Sequence, residues 1–330
     1  MPRTELRRLT EVLLDEGTPA FALREELLGV VAILTSYGAG RAGENEDIAR
    51  GESLTANGVA ISPTMAAMCA DDYVRTIQFL RGIHAAVREA SADVDARPVR
   101  VLYVGCGPLA PLSIPLMAIL DATRARFTLL DIHVASIESA RAIVTALGLD
   151  ASVIAYEVAD ATNYRMDGAQ VPDVIVMEIM QAGLEKEPQV AVARHLFPQA
   201  PHARVVPEEV RVDLVFVDSR REFSLEDTQS RDRLPAQTVF VLDRAAVREW
   251  EAIVGDRIPA AEASVPDSLD PRYEPKLFTR IRVFGDFLLG DYQSGLTSPR
   301  SLPRDRRISA GKQLRFHYEL GASPGLVCDG

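Results

Sequence analysis

The stretch "PVRVLYVGCGPLAPLSIPL", residues 98–116, decides how the chain is organised. A short continuous run of β-branched and apolar residues ends in Gly105 and Gly107, and prolines follow at 108, 111 and 115. Such a run, bounded by glycine, reads as a buried strand. Glycines at its carboxyl end let backbone approach a ligand closely before the next helix begins. Further outward, "RFTLLDI", "SVIAYEV" and "PDVIVMEI" repeat the pattern, with helical spacing between the first three strands. Strand alternating with helix over 96–205 implies a parallel sheet whose ligand lies at the strand carboxyl ends.

The flanks differ in kind. Residues 1–95 read as helices, with leucines and valines at i, i+3 and i+4 in "ELRRLTEVLLDE" and "ALREELLGVVAIL". The Gly-, Asn- and charge-rich segment 37–60 is a loop or lid, and "ISPTMAAMCADDYVRTIQFLRGIHAAVREA" reads as one helix. From 206 to 330 the pattern turns to strands of the antiparallel kind, among them "TVFVL", "LFTRIRVFGDFLL" and "QLRFHYEL". Between them "DRAAVREWEAIVGD" reads as an inserted helix with Val247, Trp250 and Val254 on one apolar face. That face predicts an arm over about 241–275 and a symmetric homodimer.

Composition narrows the function. A net charge of −11 excludes a broad attraction to nucleic-acid phosphates or anionic lipid and favours a cationic or zwitterionic substrate. Cys69, Cys106 and Cys328 show neither CxxC nor Cys/His spacing, so neither a disulfide framework nor a metal site is expected. Without an apolar signal core or a long apolar run, the chain is expected to be cytoplasmic, with no membrane segment.

Three strand ends carry candidate ligand contacts. After Gly105 and Gly107, the second strand ends in Asp131, 24 residues beyond Gly107, where a carboxylate can accept hydrogen bonds from both ribose hydroxyls. The third is followed by Asp160 and Ala161, a place where an exocyclic adenine amine could be met. Each residue alone is more often a turn or cap residue, and it is the ordered recurrence that favours a nucleotide. Leu109 stands at the third-glycine position and the prolines remove amide donors, which disfavours a dinucleotide pyrophosphate. His133 is read as an ordinary histidine.

"VLYVGCGPL" resembles the "VLDVGCGxG" turn of class I S-adenosylmethionine-dependent methyltransferases, with Tyr103 in place of the usual acidic residue and Leu109 in place of the last glycine. "DDYVRTIQF", "MEIMQAGLEKE" and "RVVPEEVRVDLVFVD" sharpen the resemblance to arginine methyltransferases, the protein-modifying enzymes and their small-molecule relatives. The likeness spans roughly residues 62–330. It implies an α/β fold: a Rossmann-like methyltransferase domain with N-terminal helices and a C-terminal β-barrel-like domain carrying a helical arm. It also implies S-adenosyl-L-methionine as cofactor, Arg75 as partner of the cofactor carboxylate with Asp72 nearby in the site, and Glu178 and Glu187 as the family's two loop glutamates. The Thr-His-Trp triplet of many protein arginine methyltransferases is missing; the nearest loop holds Tyr292, Ser294 and Thr297. A peptide groove is therefore doubtful, and free L-arginine becomes the expected substrate, as in bacterial enzymes that make N-methylarginine for specialised metabolites.

The chemistry of that loop agrees. A guanidinium is planar, stays protonated, and matches carboxylate oxygens bidentately, so two glutamates can hold it while a methyl group approaches. A glutamate ending an apolar strand, as Glu178 does, needs a partner or a purpose. Glu185, Lys186 and Glu187 could equally form an exposed first helical turn before Pro188, and Glu185 is read that way. Two rivals keep the cofactor site: cyclisation of the cofactor to azetidine-2-carboxylic acid, and cofactor binding without turnover.

Overall fold

The computed structural model describes residues 2–38, 51–224, 231–302 and 308–329. Half of the expected lid segment, 39–50, lies outside them. Helix α1 (Pro2–Leu13) buries Leu6, Leu9 and Leu13 against α2 (Arg24–Tyr37), which buries Leu27, Val30, Val31 and Leu34. A hairpin follows, β1 (Ser53–Thr55) with β2 (Gly58–Ala60), and then α3 (Pro63–Cys69) and α4 (Tyr73–Ala90). The single helix expected over this last stretch is thus two. Asp72 leaves helical geometry and its side chain accepts from the Arg75 N–H, capping α4 afresh. Arg81 on α4, buried, donates to the carbonyls of Leu13, Asp15 and Thr18 and so satisfies the carboxyl end of α1.

The central unit runs β3 (Val99–Val104), α5 (Ile114–Ile119), β4 (Ala125–Asp131), α6 (Val134–Ala146), β5 (Val153–Val158), β6 (Val174–Met177), α7 (Gln189–Leu196) and β7 (Arg204–Val206). Its five strands are all parallel, in the order β5-β4-β3-β6-β7. The order reverses beside β3, so a crevice opens between the carboxyl ends of β3 and β6, where open α/β sheets take their ligands. Burial of almost every residue of β3 and all of β6 explains their unbroken apolar runs.

The last unit comprises β8 (Glu209–Asp218), α8 (Ser219–Glu222), β9 (Gln237–Asp243), α9 (Arg244–Glu249), β10 (Arg257–Ser264), β11 (Tyr273–Phe284), β12 (Phe287–Leu289), β13 (Arg300–Ser301), β14 (Gln313–Glu319) and β15 (Gly325–Asp329). Two antiparallel sheets, β12-β11-β8-β9 with β13 on β11, and β10-β14-β15, meet where β9 packs on β10 and β14, giving a barrel-like body. The expected fold class is therefore present: a Rossmann-like parallel sheet, N-terminal helices and a β-barrel-like unit.

The helical arm is not formed as expected. The inserted helix is only α9, and Val247 and Trp250 turn into the chain's own core, where Phe240 stacks between Trp250 at 5.5 Å and Tyr318 at 5.1 Å. Val254 is 99% exposed, beyond the helix end, so the three do not share a face. Much of the rest of the 241–275 span is strand β10. Burying the tryptophan ring takes a large apolar surface out of water within the chain itself. Among the described residues no helix is long and apolar enough to cross a membrane.

Candidate active site

A cavity of about 1020 Å³ fills the crevice and extends under the barrel. Its floor is the turn after β3. Gly105 has φ 67°, and a Cβ there would stand 2.1 Å from Cγ2 of Ile179, so only glycine fits. The Gly107 N–H donates to Oδ2 of Asp131 at 2.9 Å, and the His133 N–H to Oδ1 at 2.9 Å. Two backbone donors thereby fix a buried carboxylate at the end of β4, with lone pairs left over for further donors. Asp160 and Ala161 line the next strand end; Oδ1 of Asp160 accepts from the backbone and hydroxyl of Thr162. The structure thus brings Gly105, Gly107, Asp131, Asp160 and Ala161 to one wall. His133, read as ordinary, lines it too, bridging Asp131 and Ser53 of the hairpin.

Opposite lie the carboxylates. Glu178 follows the last residue of β6 and accepts from Nη1 of Arg75 at 3.1 Å, while the Arg75 Nη2 donates to the Cys69 carbonyl. Arg75 is 5% exposed, and its Nε, buried beside the cavity, has no partner among the described residues. Burial opposes the charge on Arg75, but Glu178 together with Cys69, Asp72 and Tyr103 around it outweighs that and holds the guanidinium firmly protonated. The Glu178 carboxyl is raised by its burial, a rise that Arg75 restrains. Glu187, 7% exposed, is pushed up to about 8, by burial first and then by the charge of Glu178. Glu187 forms no ion pair among the described residues.

The loop between them is held almost wholly through backbone. Gln189, completely buried at the start of α7, accepts from the Ile179 N–H and donates to the Met177 carbonyl, so one amide brackets Glu178 on both sides. The Gly183 N–H donates to the Thr279 hydroxyl on β11, and the Tyr318 hydroxyl on β14 donates to the Leu184 carbonyl. Gly183, Leu184 and Lys186 have φ of 75°, 57° and 65°. The Glu187 N–H closes on the Glu185 carbonyl at 2.7 Å across Lys186, a tight positive-φ turn that is rare for a residue with a side chain. Such backbone persists only where the surroundings impose it.

That turn corrects the helical reading. Residues 185–187 precede α7, which starts at Gln189, and Glu185 is not turned out to solvent; it lines the cavity and pairs with Arg300 of β13 at 2.9 Å. Asp72 is corrected as well: it does not line the cavity. Its Oδ2 accepts from the Ser294 hydroxyl at 2.6 Å and the Gly295 N–H at 3.0 Å, so it joins α4 to the barrel loop and caps α4. Of the barrel residues, Tyr292 is engaged with Glu222 and Thr297 with Ser294.

Above the carboxylates the chain makes a roof. The Val59 N–H donates to the Lys186 carbonyl at 2.8 Å, and the Lys186 N–H to the Pro324 carbonyl at 2.9 Å, linking the hairpin, the loop and the β14–β15 turn. Asn57 reaches Thr162 on the far side at 3.1 Å. The described part of the lid segment, 51–60, thus spans the cavity. Six carboxylates line it against three Arg or Lys side chains, which favours a cationic occupant.

Sequence reasoning missed Gln189, Arg300 and the part of the β14–β15 turn in the roof. A buried amide is invisible as spacing, and Arg300 sits on a two-residue strand. The sequence matches no protein-family model and no curated protein. Among solved structures the chain is similar to the crystal structure of PRMT6, at TM-score 0.47 and 11% identity over 76% of this chain and 96% of that one. It is also similar to the Trypanosoma brucei PRMT1 enzyme–prozyme heterotetrameric complex with AdoHcy, at TM-score 0.43 and 14% identity over 76% and 96%. Likenesses this distant carry no argument about activity.

Proposed function

We propose that the chain transfers a methyl group from S-adenosyl-L-methionine to a guanidinium nitrogen, with free L-arginine as substrate. The observation that carries this reading is Glu187: a buried carboxylate beside Glu178, raised to about 8, in a cavity with an excess of carboxylates. A buried acid without its cation suits a cation from outside.

The residues present fit the cofactor. The glycine turn admits close approach at Gly105, Asp131 is fixed to accept from ribose hydroxyls, Asp160 and Ala161 suit the base, and the orphaned Nε of Arg75 is a donor for a carboxylate. When bound, S-adenosylmethionine supplies an electrophilic methyl group on a sulfonium that departs as a neutral thioether. Glu178, held by Arg75, and Glu187, ionised once a cation is present, grip the planar guanidinium and aim one nitrogen. The aimed nitrogen would take the methyl group, with the S–C electron pair staying on sulfur, and would shed one proton. Glu187 is the base placed to take it. The roof supports a substrate small enough to be enclosed, since excluding water strengthens each charge interaction inside.

The test is product identity. Incubation with S-adenosylmethionine and a panel of guanidines should yield S-adenosylhomocysteine and N-methylarginine by mass spectrometry. Methylthioadenosine instead would establish cofactor cyclisation, and cofactor binding without any product would establish a sensor.

A further inference from the structure

On the cavity wall Arg300 forms an ion pair with Glu185, which lies two residues along the chain from Glu187. Both side chains are only part-buried, at 41% and 32% exposure. The pair uses little of its capacity. Nε and Nη2 of Arg300 both donate to Oε2 of Glu185, at 3.3 and 2.9 Å, while Nη1 of Arg300 and Oε1 of Glu185 have no hydrogen bond among the described residues. A guanidinium fork with a spare edge and a carboxylate with a spare oxygen lie side by side. That is the complement of an α-amino acid, whose carboxylate and ammonium are likewise adjacent.

Placement agrees with size. Two residues of chain span at most about 7 Å, and the turn across Lys186 brings the backbones of Glu185 and Glu187 closer still. An extended arginine side chain bridges a gap of this order between its guanidinium and its α-carbon. Both members are held on rigid backbone. Arg300 pairs with Leu277 in the β13–β11 ladder, and the loop carrying Glu185 is pinned by Thr279, Tyr318 and Pro324.

We propose that Arg300 and Glu185 are specificity-determining residues that hold the α-carboxylate and α-ammonium of a free amino acid, Arg300 taking the carboxylate and Glu185 the ammonium. This rests on the guanidinium reading of Glu178 and Glu187, and it restricts the substrate to amino acids with both groups unblocked. A peptide-bound arginine has neither charge.

The test compares L-arginine with agmatine, which has the same guanidinium but no carboxylate. Calorimetric titration of each into protein saturated with S-adenosylhomocysteine should show L-arginine binding at least 100-fold tighter. In Arg300→Gln that ratio should fall below about 5, and Arg300→Lys, which keeps the charge without the fork, should lie between. Circular dichroism and retained S-adenosylhomocysteine affinity establish that the variants fold. Agmatine binding as tightly as L-arginine to the wild type, or a ratio unchanged in folded Arg300→Gln, overturns this inference and leaves the guanidinium reading standing. Failure of both ligands to bind overturns the two together.

Discussion

Glu222 and Glu187 are both buried glutamates, and the molecule treats them in opposite ways. Glu222, 4% exposed in the barrel, is raised by burial but drawn below its ordinary range by Arg233, whose Nε and Nη2 form a fork on both of its oxygens at 2.8 and 2.6 Å, with Tyr292 donating as well. Arg233 continues to Asp291, and Arg280 joins Asp291 to Asp213, so carboxylates and guanidinium groups alternate through the cluster. Glu187 has similar burial and no such fork, and is pushed up to about 8. Desolvation is common to both. What differs is the charge beside them: the barrel provides a cation from its own chain, whereas the cavity sets Glu187 beside the anionic Glu178.

The comparison can be broken most visibly from the barrel side. Glu222→Gln leaves Arg233 with only Asp291, and should cost about 3 kcal/mol in a denaturant titration, while folded protein keeps its turnover. A loss under about 1 kcal/mol would show that the network contributes little. On the cavity side, Glu187→Gln should lower methyl transfer by on the order of 10²-fold or more, yet raise stability at pH 7, because the folded wild type must hold a proton that its unfolded chain has released and Gln has none to hold. Glu178→Gln should lose turnover to the same degree and stability besides, since it strips Arg75 of its charge partner. Turnover retained in both folded variants would sink the clamp.

Smaller effects sharpen the contrast. Asp131→Ala should weaken S-adenosylhomocysteine binding by about 1–3 kcal/mol in a calorimetric titration, the range for unmet buried partners; unchanged affinity would move the ribose contact elsewhere. The pH dependence of stability is subtler. With Glu187 at about 8 folded and 4.5 unfolded, the folded state holds the extra proton between those values, so its contribution is full below about 4.5 and lost as pH rises through about 8. Subtracting the Glu187→Gln profile from the wild type should isolate that decline, and a flat difference would contradict the raised value.

The strands, the glycine turn and Asp131 are legible in the sequence because each is a local pattern, an apolar run or a turn residue, while the pairing of Glu178 with Glu187 is what the family resemblance implies. Misreadings arise where tertiary contacts decide. Asp72 and Arg75 are three residues apart, but Asp72 is taken by Ser294 more than 200 residues away, while Arg75 reaches Glu178. Trp250 reads equally as an outward anchor and as a core residue, and its stack on Phe240, which stacks in turn on Tyr318, decides for the core. Acids at 185 and 187 before Pro188 suit a first helical turn, but Thr279, Tyr318 and Pro324 impose a positive-φ turn there instead. No local propensity announces contacts made by strands a hundred residues downstream.

The central claim is that Glu187 is a buried acid that awaits a guanidinium. Titrating L-arginine near pH 7 into protein saturated with S-adenosylhomocysteine, in two buffers of different ionisation enthalpy, counts protons released on binding. A guanidinium cannot give up its own proton at this pH, so any proton must come from the protein as the carboxyl ionises against the bound cation. The expected result is release approaching one proton in the wild type and close to none in Glu187→Gln. Binding of L-arginine with no proton released, or release undiminished in folded Glu187→Gln, would contradict it.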